Sequence, residues 1–372
     1  MLKIGLIINP VAGIGGKVGL KGSDGEETLK RARALGACPE SGKKASHALK
    51  ELAAVRDRFV LYTGPGEMGG DLAAEYGLDA HICGVSRMQT TGSDTVEAAK
   101  KLLAEGIDLL VFAGGDGTAR NILDAVHESV PVLGIPTGCK IHSAVFAINP
   151  RRAGQALRKI VETESIGNVH EAEVMDIDEA LFREGIVQAR LYGYLRTPED
   201  KQHMQNLKSG RGLGEEASVA LLANCLVDSM KDDVLYIIGS GSTMKAVKEK
   251  LGIGGTLLGV DIVYQKKALC MDAGEKQILE MLEAYPKAKV MVTVIGGQGY
   301  LFGRGNQQLS AAVLCRVGKK NIIVAMSKNK ADSLFLKNLY IDTSDEQTDC
   351  SLCGYYRVVV GYDQYVMFQA VN

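Results

Sequence analysis

The stretch Leu109-Leu110-Val111-Phe112-Ala113-Gly114-Gly115-Asp116-Gly117-Thr118 decides how this chain is read. Five apolar residues without a polar break suit a strand buried on both faces, as in a parallel sheet. The run stops in a loop of three glycines, one aspartate and a threonine, and a helix-like segment follows. Glycine lets a backbone approach a ligand closely. A helix N-terminus offers unpaired N–H groups and the positive end of its dipole, a setting for phosphate.

The same pattern occurs four more times. Ile4–Ile8 runs into Asn9-Pro10-Val11-Ala12-Gly13-Ile14-Gly15-Gly16. Val132–Ile135 runs into Pro136-Thr137-Gly138, Val234–Ile238 into Gly239-Ser240-Gly241-Ser242-Thr243, and Val290–Ile295 into Gly296-Gly297-Gln298-Gly299. Strands alternating with helices predict an α/β fold with a parallel sheet. Asp94 with Glu97, and Asp272 with Glu275, resemble capping boxes at helix starts. Two regions break the pattern. Val169–Pro198 reads as strands or a hairpin, including Ile186 and Val187, and Gly354–Phe368 reads as a closing hairpin around Gly361-Tyr362-Asp363. Gly22–Ser46, rich in Gly, Lys and Glu, reads as a loop. A boundary near Pro150 divides the chain into a nucleotide-binding domain, 1–150, and a mixed α/β domain, 151–372.

The 372 residues suffice for two domains with sizeable cores. A formal net charge of -1 gives no electrostatic reason to expect nucleic acid or a membrane surface. No apolar run approaches a membrane span, and the opening segment lacks the layout of a signal peptide. A cytoplasmic protein is therefore expected, assembling as a homo-oligomer around a small-molecule nucleotide. Eight scattered cysteines read as free thiols. Cys350 and Cys353 have metal-ligand spacing but no second pair to complete a zinc site, and no metal ligand is assigned.

Asp116 is the candidate catalytic residue. A carboxylate between glycines can accept a proton from an attacking hydroxyl or hold Mg2+, both of which phosphoryl transfer uses. Its alternative is a turn residue favoured by Asp-Gly geometry. Candidate phosphate-binding residues are Asn9, Gly13, Gly15, Gly16, Gly114, Gly115, Gly117, Thr118, Thr137, Gly138, Lys140, Gly241, Ser242, Thr243, Gly297 and Arg304. Arg304 sits between two glycines and offers a planar fork. Candidate substrate-binding residues are His142, Asp261 and Asn306. His142, with Ser143 next, can bind phosphate or move a proton. Asp261, inside the apolar segment Leu257–Tyr264, must be paired, metal-bound or at a strand end. Neither the P-loop pattern nor the Gly-x-Gly-x-x-Gly fingerprint with its acidic partner is present, which disfavours an NAD-dependent oxidoreductase.

Gly114-Gly115-Asp116-Gly117-Thr118 resembles the signature of the NAD kinase and diacylglycerol kinase superfamily. Asn9-Pro10 with Gly13, Gly15 and Gly16 looks like its first phosphate loop. Thr63–Gly69, Ile135–Gly138, Leu257–Asp261 and Gly296–Gln307 resemble the branch called ATP-NAD/AcoX kinases. The resemblance implies a Rossmann-like first domain, a second mixed domain with β-hairpin insertions, and phosphoryl transfer from ATP or polyphosphate with Mg2+ to NAD or a related molecule. It also implies Asp116 as base near a ribose hydroxyl. One departure is clear: no Asn here is followed by Glu or Asp, so the pair with which NAD kinases hold their nucleotide is missing. A dinucleotide sensor without catalysis, and a kinase of a non-NAD acceptor linked to acetoin-type catabolism, are the alternatives.

Overall fold

The computed structural model describes residues 1–20, 26–85, 90–138, 141–177, 189–200, 203–204, 215–295, 299–334, 338–362 and 364–372. By packing, the chain forms two compact units: Met1–Ile14 with Gly22–Leu207, and Gly15–Lys21 with Lys208–Asn372. This grouping differs from a break near Pro150.

The first unit is built on five strands: β1 (Leu2–Ile8), β2 (Phe59–Thr63), β3 (Ala80–Ile82), β4 (Leu109–Gly114) and β5 (Val132–Pro136). They lie in the order β3-β2-β1-β4-β5, and every neighbouring pair is parallel. All six residues of β4 are buried, as its unbroken apolar run requires. Successive side chains leave opposite faces of a strand. Ile4, Leu6, Ile8, Leu109, Val111 and Ala113 thus meet helices α2 (Ser41–Ala53) and α6 (Pro150–Thr163) on one face. Ile7, Leu110 and Phe112 meet α4 (Gly92–Ala104) and α5 (Asp116–Val126) on the other, and the short α3 (Gly70–Glu75) joins β2 to β3. Each such fully buried Ile, Leu, Val or Phe side chain contributes about 1.5–3 kcal/mol by leaving water.

Local signals explain where these helices start. Asn149 caps α6 by accepting from the Arg152 amide at 2.7 Å, and Pro150 occupies the first turn, where its missing N–H costs nothing. At α4 the capping box is Thr91 with Asp94, one turn earlier than the expected Asp94 with Glu97; Glu97 instead pairs with Lys101. The helix Glu275–Ala284 likewise starts at Gly274, whose amide donates to Gln277 rather than relying on Asp272. The loop expected over Gly22–Ser46 contains helix α1 (Glu26–Ala34) and the start of α2. Ala45, Ala48, Leu49 and Leu52 of α2 are buried, so a helix with an apolar stripe begins inside this polar stretch.

Strands β6 (Val169–Ile177) and β7 (Ala189–Pro198) form the expected antiparallel hairpin. Ala172, Val174 and Leu195 dock it on the α4–α5 face. Ile186, Val187 and Asp363 lie outside the described residues.

The second unit holds two sheets. The first orders β8 (Leu235–Ile238), β9 (Asp261–Tyr264), β10 (Lys267–Cys270), β11 (Ala288–Val292) and β13 (Ile322–Val324) as β10-β9-β8-β11-β13, with parallel and antiparallel neighbours. The other orders β12 (Tyr300–Phe302), β14 (Asn338–Ile341), β15 (Gly354–Gly361) and β16 (Gln364–Val371) as β12-β14-β16-β15. β15 and β16 are the expected closing hairpin. The architecture is α/β with a parallel sheet in one unit and mixed sheets in the other. Among the described residues no helix is long and apolar enough to cross a membrane.

Asp349 of the second unit is buried, and one of its oxygens accepts from the Thr343 amide (2.9 Å) and hydroxyl (2.6 Å). Burial pushes its carboxyl up to about 6; the Thr343 bonds oppose this in part, and Asp342 and Asp345 add to it. A raised folded-state pKa means that the folded form holds the proton more tightly. The stabilisation is full below pH 3.8 and is lost as the pH rises through about 6. Denaturant unfolding from pH 4 to 7 is predicted to show wild type losing up to about 3 kcal/mol relative to Asp349→Asn.

Candidate functional site

The strand order reverses between β1 and β4, and ligands of open α/β sheets settle at such a switch point, beyond the carboxyl ends of the strands. Three chain segments meet there. Asn9, directly after β1, donates its amide to Ala113 at 2.9 Å and its side-chain N–H to the Thr118 hydroxyl at 3.0 Å. Its side-chain oxygen accepts from the Val11 amide and shapes the following turn. After β5, the amides of Thr137 and Gly138 both donate to the Gly114 carbonyl, at 2.9 and 3.0 Å. The Thr137 hydroxyl meets that of Ser41 at 2.9 Å.

Two glycines are needed for this closeness. Gly13 has φ +78°, and a Cβ there would run into the Thr137 carbonyl oxygen. A Cβ on Gly114 would overlap the Thr118 side chain. Asn9, Gly13, Gly114, Thr118, Thr137 and Gly138 therefore come together as the sequence suggests. Gly115 is the extended residue before α5, and Gly117 lies in the first turn. Gly15 and Gly16 group instead with the second unit, where their carbonyls accept from Leu20 and Gly19. Lys140 and Gly297 lie outside the described residues.

Asp116 is the first residue of α5 and is 6% exposed. Its charge sits at the positive end of the helix dipole. Oδ1 accepts from the Ser143 amide (3.0 Å) and hydroxyl (2.7 Å). Oδ2 accepts from the His142 amide (2.7 Å) and faces the His142 ring Nδ1 at 3.1 Å. The Ser143 oxygen also accepts from the Met175 amide at 3.0 Å and lies 2.8 Å from its carbonyl. The carboxylate thus ties α5 to residues 142 and 143, and through Ser143 to β6. Four partners fill its acceptor sites. It does not fit as a magnesium ligand, and among the described residues no three His, Cys, Asp or Glu side chains come together to hold a metal ion.

The second unit treats its candidates differently. Gly241, with φ +103°, precedes the helix Ser242–Lys250, and its amide donates to Leu257 at 2.7 Å. Thr243 lies 3.4 Å from the Thr293 hydroxyl, to which Lys330 donates at 3.3 Å. Arg304, expected to present its fork to phosphate, is 4% exposed and stacks 4.1 Å above the Tyr300 ring. Asn306 donates to the Leu301 carbonyl at 2.8 Å, while its side-chain oxygen is buried and meets no hydrogen-bond partner among the described residues. Asp261 is not open to a ligand. It is fully buried, 2.7 Å from Lys248 Nζ, and accepts from the Asp272 amide at 2.7 Å. Lys248 in turn donates to the Gly259 carbonyl at 2.7 Å. Lys248 escapes sequence reasoning because it looks like any helix-surface lysine. Cys350 and Cys353 are free thiols.

The family model for the ATP-NAD kinase N-terminal domain matches residues 4–165, and that for the C-terminal domain matches residues 231–370. This chain belongs to the ATP-NAD kinase family. Its family is one of kinases, and the two matches place Asp116 in the N-terminal domain and Asp261, Arg304 and Asn306 in the C-terminal one. Similar solved structures include two from Bacillus anthracis strain Sterne, one described as a candidate diacylglycerol kinase and one as a diacylglycerol kinase. Each is 18% identical, and the alignment covers 47% of this chain and 46% of theirs, with TM-scores of 0.24 and 0.23. This chain thus spans under half the length of these structures. No curated protein matches the chain.

Two stability predictions follow from this packing. Gly114→Ala should cost about 1–3 kcal/mol by forcing Thr118 aside. The double variant Gly114→Ala/Thr118→Ala, in which the obstruction is gone, should unfold at higher denaturant than Gly114→Ala alone. Lys248→Met should cost about 3–5 kcal/mol by leaving the Asp261 charge buried alone, and Lys248→Met/Asp261→Leu should recover most of it. Thermal and denaturant unfolding read both.

Proposed function

We propose that this chain transfers the γ-phosphoryl group of ATP to a hydroxyl of a small nucleotide, NAD or a relative of it, in the crevice above β1, β4 and β5. The observation that carries the reading is the buried Asp116 carboxylate at the start of α5, surrounded by three segments whose glycines bring backbone close to any ligand. The N-terminus of α5, with the amides of its first turn, suits the triphosphate. Magnesium enters with ATP rather than on a carboxylate cluster of the chain. A cytoplasmic location agrees with such a substrate. A sensor that only bound a dinucleotide would need this carboxylate as a loop anchor alone and would show no turnover.

The missing Asn-Glu or Asn-Asp pair puts the weight of the test on the acceptor. Purified protein with Mg-ATP is offered NAD, NADH, sugars and small diols, and ADP release and acceptor phosphorylation are followed. At least one acceptor is expected to be phosphorylated, with Asp116→Asn slower by about 10²-fold or more while still folded. The reading is overturned if no acceptor is phosphorylated, or if Asp116→Asn matches wild type. Tight binding of NAD without turnover would select the sensor.

A further inference from the structure

We propose that Lys44 is the cation that binds a phosphate group of the nucleotide, where the first turn of α2 meets the loop after β5. The inference rests on the kinase reading above and adds to its site a residue that no glycine loop supplies.

The start of α2 belongs to the crevice. Ser41, the first residue of the helix, is fully buried, and its hydroxyl lies 2.9 Å from that of Thr137. The Thr137 amide donates to the Gly114 carbonyl at 2.9 Å. A Cβ on Gly13 would run into the Thr137 carbonyl oxygen. Through Thr137 the turn thus adjoins the loops that follow β1, β4 and β5. Glu40, at the N-cap, does not cap the helix with its side chain, and the first turn holds no acidic residue. The positive end of the α2 dipole therefore has no counter-charge within that turn.

Lys44 is the second and independent feature. Lys43 and Lys50 of the same helix are exposed, as helix-surface lysines usually are. Lys44 is 4% exposed and stands on the buried side of α2 with Ser41, Ala45 and Ala48. Side chains of a helix lean towards its N-terminus, over the preceding turn. The Lys44 chain therefore runs back along α2 towards the Ser41–Thr137 contact. Among the described residues no hydrogen bond or ion pair reaches its ammonium.

A cation withdrawn from water is costly unless an anion meets it, and the dipole of its own helix repels it. Lys248 in the second unit has the ordinary solution, a carboxylate and a carbonyl each at 2.7 Å. Lys44 has neither among the described residues. An anion seated on the start of α2 would answer both deficits, facing the helix amides and the ammonium together. A phosphate group suits this, because several oxygens can accept from backbone N–H groups and from a compact ammonium at once. The competing view is that Lys44 is structural, its stem filling space beside α2.

Calorimetric titration of the full-length protein with tripolyphosphate and with ATP separates the two. Lys44→Met keeps the stem and removes the charge. It is expected to bind both ligands about 10- to 100-fold more weakly than wild type, as loss of a charge-assisted hydrogen bond implies. Without ligand it should unfold at a temperature no lower than wild type, since an uncompensated charge is gone. Added salt should weaken wild type more than Lys44→Met. Lys43→Met, one residue away and exposed, should change affinity by less than about threefold. Lys44→Gln repeats the test if Lys44→Met does not fold. Unchanged affinity in the Lys44 variants, an equal loss in Lys43→Met, or a wild type that binds neither ligand overturns the inference. Failure of both Lys44 variants to fold also overturns it, in favour of the structural view. If the affinities behave as expected and no acceptor is phosphorylated, the phosphate site stands and the kinase reading falls.

Discussion

A single carboxylate organises the crevice of the first unit. Asp116 gathers the amides of His142 and Ser143, the Ser143 hydroxyl and the His142 ring onto two oxygens at the start of α5. It ties the stretch after β5 to the helix that follows β4 by hydrogen bonds, beside the apolar contacts of Ile141, Val145 and Phe146 with α5. The charge is tolerated because it lies at the helix N-terminus and every lone pair has a partner. The Asn9–Thr118 bond does the same between β1 and α5. The switch point is thus tied across three strands, and its rigidity comes from polar contacts as well as from the sheet below.

The two units use charge in different ways. In the first, the buried carboxylate has a half-buried neighbour, His142. In the second, Asp261 and Lys248 are sealed together with almost no surface. Sealed pairs hold a loop in one arrangement but offer nothing to a substrate. Arg304, also buried, lays its guanidinium over the Tyr300 ring. The Tyr300 hydroxyl is pushed far above its ordinary range by burial, against the opposing effect of Arg304, and it stays neutral.

Much of this was legible in the sequence. Unbroken apolar runs marked β1, β4, β5, β8 and β11, and both hairpins stood where alternation and turn residues placed them. The glycine loops at the ends of β1, β4 and β5 converge as the parallel order demands. What stayed hidden depends on partners distant in sequence. Nothing near Asp261 announces Lys248, and nothing around Arg304 announces that its guanidinium lies over an aromatic ring. The polar stretch Gly22–Ser46 hides helices because a helix needs only one apolar stripe, which composition does not display. The expectation that a helix follows each glycine loop also fails after β5, where residues 137 and 138 and the Ile141–Asn149 stretch form no regular helix before α6. That irregular stretch carries His142 and Ser143.

The short segment Gly15–Lys21 has a consequence for how the chain acquires its shape. It is synthesised directly after β1, yet it packs with the second unit, where the Lys17 carbonyl accepts from the Glu275 amide. The sheet of the first unit is complete once β5 has emerged, so its core can form early. The segment cannot settle until most of the chain has left the ribosome. Closing so long a loop costs entropy before its contacts form, and this turn is among the last parts of the second unit to become ordered.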